Sequence, residues 1–86
     1  MTYEIEYSAA AAKAIRRLPG DVQRRVVGKI GALAQNPRPH GAVKLAGHEA
    51  YRLRVGDYRV IYAIADERLV VVIVEVGHRR EIYRDW

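Results

Sequence analysis

The segment Tyr51-Arg52-Leu53-Arg54-Val55-Gly56-Asp57-Tyr58-Arg59-Val60-Ile61-Tyr62 decides the fold. Tyr51 to Val55 alternates apolar and cationic residues, the period of a strand with one buried face. Gly56-Asp57 then forms a two-residue hairpin turn, with glycine at the first central position as a type II′ turn requires. Such a turn fixes the register. Val55 pairs with Tyr58, Arg54 with Arg59 and Leu53 with Val60. Leu53, Val55, Val60, Tyr62 and Ile64 share a core face, and Arg52, Arg54 and Arg59 share the other.

Downstream, Tyr58 to Ala65 is the second strand of the hairpin. Asp66-Glu67 reads as another two-residue turn, and Arg68 to Gly77 as the last long strand. On that register Leu69, Val71 and Ile73 join the core face. Val70, Val72, Val74, Val76 and His78 join the arginine face. Residues 79–86 form a short terminal helix or tail, whose Ile82 and Trp86 are placed to fold back over part of the valine strip. What they leave uncovered is a docking groove for another protein; the plainer alternative is that the tail covers the strip entirely.

Upstream, Thr2 to Tyr7 alternates as a half-buried strand. Ser8 caps a helix over Ala9 to Leu18, with Ala11, Ile15 and Leu18 on one face. Pro19-Gly20-Asp21 breaks that helix and starts another. Val22, Val26, Ile30 and Leu33 repeat at helical spacing, with Arg24, Arg25 and Lys29 facing solvent. Gly28 and Gly31 each cost about 1 kcal/mol relative to alanine, which points to close packing there. The fold expected is α+β, a β-α-α-β-β-β two-layer domain spanning residues 1–86. A helical hairpin packs on a mostly antiparallel sheet, with the first strand beside the last.

Composition narrows the function. The chain has 86 residues and a formal charge of +5, and half of it is hydrophobic. It has no cysteine, so disulfide scaffolds and thiolate zinc sites are excluded, and a cytoplasmic location is expected. The longest apolar run, Leu69 to Val74, falls far short of the roughly 20 residues that cross a bilayer, so no membrane partner is expected. The charge favours an acidic partner, nucleic acid first. Residues 1–50 hold eight Lys/Arg against four Asp/Glu, while residues 51–86 hold seven against six. The second half must therefore bind by placement rather than by bulk charge.

Arg54 directly opposite Arg59 is such a placement. Like charges opposed across a ladder repel, and a phosphate between two guanidinium forks relieves the repulsion. A solvated face, its arginines splayed or paired with Asp57 and Glu75, is the plainer reading. Near the end the chain reads Gly77-His78-Arg79-Arg80-Glu81-Ile82-Tyr83-Arg84. It offers cations, an imidazole and a phenol, enough for phosphoryl chemistry without metal or cofactor. No His/Asp/Glu cluster has metal-ligand spacing, and His40 and His48 sit in or near loops.

Leu18-Pro19, Lys44-Leu45-Ala46-Gly47, Tyr51 to Tyr62 and Val76 to Tyr83 together resemble the RelE toxins of the RelE/ParE superfamily, over essentially the whole chain. The resemblance implies a bacterial type II toxin that cuts mRNA in the ribosomal A site without metal. The RNA's own 2′-OH attacks the adjacent phosphate, leaving a 2′,3′-cyclic phosphate and a 5′-OH. It implies a cognate antitoxin that blocks the toxin and supplies binding to operator DNA. By the same resemblance Arg59 contacts the scissile phosphate, Arg79 stabilises transition-state charge and Tyr83 stacks on a base. Arg52 and Arg54 fall where some relatives carry lysines, one of them proposed as general base. Arginine is a poor base, with a pKa above about 12, so His78 is the candidate proton mover. Lys44, Arg52 and Arg80 are expected along the RNA backbone. The alternative is a ParE-type toxin that inhibits DNA gyrase by binding it.

Overall fold

The computed structural model describes residues 1–82. Strand β1 (Glu4–Tyr7) leads into α1 (Ala9–Arg16) and α2 (Gly20–Ala32). There follow β2 (Val43–Lys44), β3 (Tyr51–Val55), β4 (Tyr58–Ala65), β5 (Val70–His78) and α3 (Arg79–Ile82). The sheet order is β1-β5-β4-β3-β2. β1 lies parallel to β5 and every other pairing is antiparallel. The two-residue β2 and a 3-10 turn at Asp66–Arg68 are additions to the order read from the sequence.

The helical hairpin forms as its residues dictate. Ser8 Oγ accepts the Ala11 N–H at 3.0 Å, capping α1, and its hydroxyl donates to the Val74 carbonyl at 2.7 Å. Ala11 and Ile15 of α1, with Val22, Val26 and Ile30 of α2 and Leu33 just beyond it, bury against Leu53, Val55, Val60, Tyr62, Val71, Ile73 and Val76. Gly28 and Gly31 differ from expectation: a methyl at either position would meet nothing within 4 Å. They weaken the helix without serving a close approach.

The β3–β4 hairpin has the expected register, Val55 with Tyr58 and Arg54 with Arg59. Gly56 has φ +60°, while Asp57 is not among the residues of positive φ. A type II′ turn, which needs positive φ only at its first central residue, fits this pair.

The β4–β5 connection departs from expectation in two places. Asp66-Glu67 is not a two-residue turn: Ala65 pairs with Val70, so four residues connect the strands. Leu69 closes the loop in the left-handed region, φ 54°. Leu69 is therefore not a strand residue of the core face, although Val71 and Ile73 are. A register shift follows, in which Tyr62 pairs with Ile73 and Ile61 with Glu75. The extra residue, Val74, is a β-bulge, and it inverts the faces of everything after it. Val76 pairs with Val60 and enters the main core. Gly77 pairs with Arg59, and His78 with Tyr58. Val76 and His78 thus lie on the helix-covered side, not on the arginine face as expected.

The second face is not an open arginine surface either. Leu45, Ala50, Ile61 and Ile82 form a smaller core there, with Val74 against it. Ile82 is buried as expected. A Cβ on Gly77 would come 3.2 Å from Ile82 Cγ1, so the missing side chain is what lets α3 lie close to β5. Trp86, expected beside Ile82, lies outside the described residues.

The far end of the sheet is tied by a polar cluster that the sequence reading missed. Arg38 donates to both carboxylate oxygens of Asp66 (3.2 and 2.8 Å) and through Nε to the Tyr51 hydroxyl (3.1 Å). The Tyr3 hydroxyl donates to Asp66 Oδ1 at 2.6 Å. Hydrogen bonds from Arg38 and then Tyr3 lower the Asp66 carboxyl to about 2. Beneath it, buried Tyr62 stacks on Tyr51 and donates to the Pro37 carbonyl at 2.7 Å. Burial pushes the Tyr62 hydroxyl up to about 12.

Candidate nucleic-acid interface

The arginine site is built at the hairpin end of the sheet. A two-residue turn closes on a hydrogen-bonded pair, here Val55 and Tyr58. The next pair out, Arg54 and Arg59, is then non-hydrogen-bonded, with Cα atoms about 4.5 Å apart. The two side chains leave the same face of the ladder but differ in setting. Arg54 is exposed, whereas Arg59 is 2% accessible. Arg59 is therefore not the solvated cation of the plainer reading. Its flank is occupied by the Ile61–Ile82 cluster on the same face, and Gly77 stands beside it in the ladder. Arg59 Nη1 donates to the Tyr58 carbonyl at 3.3 Å. Bonds of this kind offset the cost of burying a guanidinium.

Arg79 is brought to the same end. Its N–H donates to the Asp57 carbonyl at 2.8 Å, tying the start of α3 to the hairpin turn. A helix of four residues has no stability of its own, so this bond and the burial of Ile82 hold it. Arg80 follows on α3 and is exposed.

Other candidates lie apart. Lys44 pairs with Tyr51 in the ladder, and its Nζ donates to the His48 carbonyl at 2.9 Å. Arg52 stands opposite Ile61. Arg52 and Arg54 line an open groove of about 460 Å³ with Lys29, His40 and Val43. Arg54 also lines a neighbouring groove of about 500 Å³ with Arg24, Arg25 and Lys29 of α2. The cations of α2, read from the sequence only as solvent-facing, thus continue the positive surface. Their helical spacing alone could not show which strand they flank.

His78 sits on the opposite side from Arg59. Its ring meets Tyr58 edge-on, 5.4 Å between centroids at 78°. With Arg17, Tyr58 and Glu81 it lines a separate cavity of about 380 Å³. Its Nδ1 accepts the Arg80 N–H at 3.2 Å. Tyr83 lies outside the described residues. Among the described residues, no group of three or more His, Asp or Glu side chains could hold a metal ion, and no helix is long and apolar enough to cross a membrane.

Comparison with known proteins places this geometry. A family model described as the ParE toxin of the type II toxin–antitoxin system parDE matches residues 5–83. The chain is 35% identical over 88 residues to toxin RelG of Mycobacterium tuberculosis, covering 98% of this chain and 99% of that one. It is 32% identical over 90 residues to the mRNA interferase toxin RelE of Escherichia coli K12, covering 99% and 94%. Among solved structures, the archaeal RelE–RelB complex from Pyrococcus horikoshii matches with TM-score 0.83 and 32% identity, covering 94% of this chain and 99% of that one. The toxin–antitoxin complex RelBE2 of M. tuberculosis matches with TM-score 0.78 and 28% identity, covering 92% and 100%. The family match, the identities across nearly full length and the shared fold make this chain a RelE-type toxin of the RelE/ParE superfamily of type II toxin–antitoxin systems.

Proposed function

We propose that this toxin is a ribosome-dependent endoribonuclease that cuts mRNA in the A site. The observation that carries the reading is the convergence at one sheet end: Arg54 opposite Arg59, with Arg79 tied to the Asp57 carbonyl. Relatives bearing the name mRNA interferase support it.

In this reading the substrate 2′-oxygen forms a bond to the adjacent phosphorus as the bond to the 5′-oxygen breaks. The 2′-OH loses its proton and the departing 5′-oxygen gains one. The products are a 2′,3′-cyclic phosphate and a 5′-OH. Negative charge grows on the non-bridging oxygens in the transition state. A guanidinium already fixed in a low-dielectric setting stabilises that charge without reorganising. Buried Arg59 fills this role, Arg79 supports it, and Arg54 adds charge from the solvent side. Tyr83 stacks on a base. Arg52, Lys44, Arg80 and the α2 cations hold the flanking backbone. Guanidinium groups supply the charge that a metal would otherwise supply.

RelE–RelB complexes among the relatives support a cognate antitoxin as partner. It blocks the toxin and carries the operator-DNA contacts.

The test is purified toxin on ribosomes programmed with a defined mRNA. Cuts within the A-site codon, leaving a 2′,3′-cyclic phosphate and a 5′-OH, are expected. Inhibition of gyrase supercoiling with no RNA cleavage would overturn the reading in favour of a ParE-type target.

A further inference from the structure

The first two backbone N–H groups of α3 have no acceptor within the helix, and the β3–β4 turn and the end of β5 answer them. Arg79 N–H donates to the Asp57 carbonyl at 2.8 Å, and Arg80 N–H to His78 Nδ1 at 3.2 Å. A side chain just before a helix that accepts from its second or third N–H is an N-cap. His78 immediately precedes α3 and takes that place. A neutral imidazole has one accepting nitrogen. With Nδ1 engaged by Arg80, the ring proton belongs on Nε2, a tautomer assigned from the hydrogen bond.

This arrangement works against direct proton transfer by His78. The lone pair that would accept a proton is already occupied. The ring also packs against Tyr58 on the helix-covered side, while Arg59 leaves the opposite face. A general base must come within hydrogen-bonding reach of the hydroxyl it deprotonates.

We propose that His78 is a positioning residue whose neutral imidazole caps α3 and thereby holds Arg79 at the Arg54–Arg59 end of the sheet. Its consequence for cleavage rests on the function proposed above; the cap itself does not. Protonation turns Nδ1 from acceptor to donor, so that it faces the Arg80 N–H donor to donor. It also sets a cation at the positive end of the helix. Tyr58 from β4, Arg17 just past α1 and Glu81 from α3 line the same cavity as the ring. Protonation of the ring therefore releases the start of α3.

The test separates cap from chemistry. Asparagine accepts a hydrogen bond and is a good N-cap, but it cannot act as a base. His78→Asn should keep cleavage within about threefold of wild type, while His78→Ala loses about tenfold. In the free toxin, nitrogen NMR should show Nε2 protonated and Nδ1 bare at neutral pH. The Arg80 amide should shift and lose exchange protection as His78 titrates, and His78→Asn should abolish that pH dependence. His78→Asn as inactive as His78→Ala, with the Arg80 amide still protected, would overturn the proposal. An Arg80 amide indifferent to His78 titration would also overturn it. If wild-type toxin cleaves no mRNA, the proposed function fails and the NMR result alone decides the cap.

Discussion

Arg54 and Arg59 stand directly opposite each other across the β3–β4 ladder, yet Arg54 is exposed and Arg59 is buried. One hairpin thus carries an exposed cation and a buried one on the same face of the ladder. In the proposed reaction the buried one stabilises charge at a defined point, and the exposed one draws phosphate in.

Their substitutions should therefore differ. Arg54→Ala removes a like-charge neighbour from an exposed site, so the melting temperature should hold or rise slightly. Affinity for single-stranded RNA should fall, with the salt dependence of log K flattening by roughly 0.7 per lost phosphate contact. RNA binding at several salt concentrations, beside thermal melts, checks this. An unchanged salt slope would show that Arg54 touches no phosphate.

Gly77 is expected to be intolerant of bulk. An added methyl comes 3.2 Å from Cγ1 of buried Ile82, which must then give way. Gly77→Ala should cost up to about 1 kcal/mol. Gly77→Val should cost about 1–3 kcal/mol as an overpacked site and should loosen α3. Urea unfolding of both variants tests the difference.

The Tyr62 hydroxyl spans from the core to the Pro37 carbonyl. Tyr62→Phe leaves that carbonyl without its donor, a loss of about 1–3 kcal/mol. Because Tyr62 lies toward the far end of β4, the arginine cluster should be undisturbed. Denaturant midpoints should fall while cleavage at low temperature persists.

Asp66 gives the fold an acid limb. Its carboxyl lies at about 2 in the folded chain against an ordinary 3.8. A lowered carboxyl contributes stability in full above the unfolded value, and the contribution disappears as pH falls through the folded one. Urea midpoints of wild type should drop between about pH 4 and pH 2. Asp66→Asn should be less stable near neutrality and should lack that limb, with cleavage unaltered. The pair is exposed, so the effect should be small.

The hairpin was legible because Gly56-Asp57 admits one register, and with it came the Arg54–Arg59 opposition. The bulge at Val74 was not legible. It sits in a valine-rich run, Val70 to Val76, whose Val and Ile residues favour a strand alike and where no glycine or proline marks an extra one. That inversion sent Val76 into the core and His78 to the helix side, and it left Gly77 next to Arg59. Leu69 was equally silent, since a leucine gives no sign that it will take a left-handed conformation. On the face that carries Arg59, Ile61 and Ile82, 21 residues apart in sequence, meet Leu45 and Ala50 from a loop. No local pattern records that meeting.

The proposed cleavage rests on the arginines gathered at the hairpin end. Single-turnover cleavage of ribosome-bound mRNA by wild type, Arg59→Ala and Arg79→Ala, with folding verified by circular dichroism, tests it most directly. Each loss should lower the cleavage rate by about 10²–10³, with ribosome binding retained. Wild-type rates in both folded variants would contradict the account.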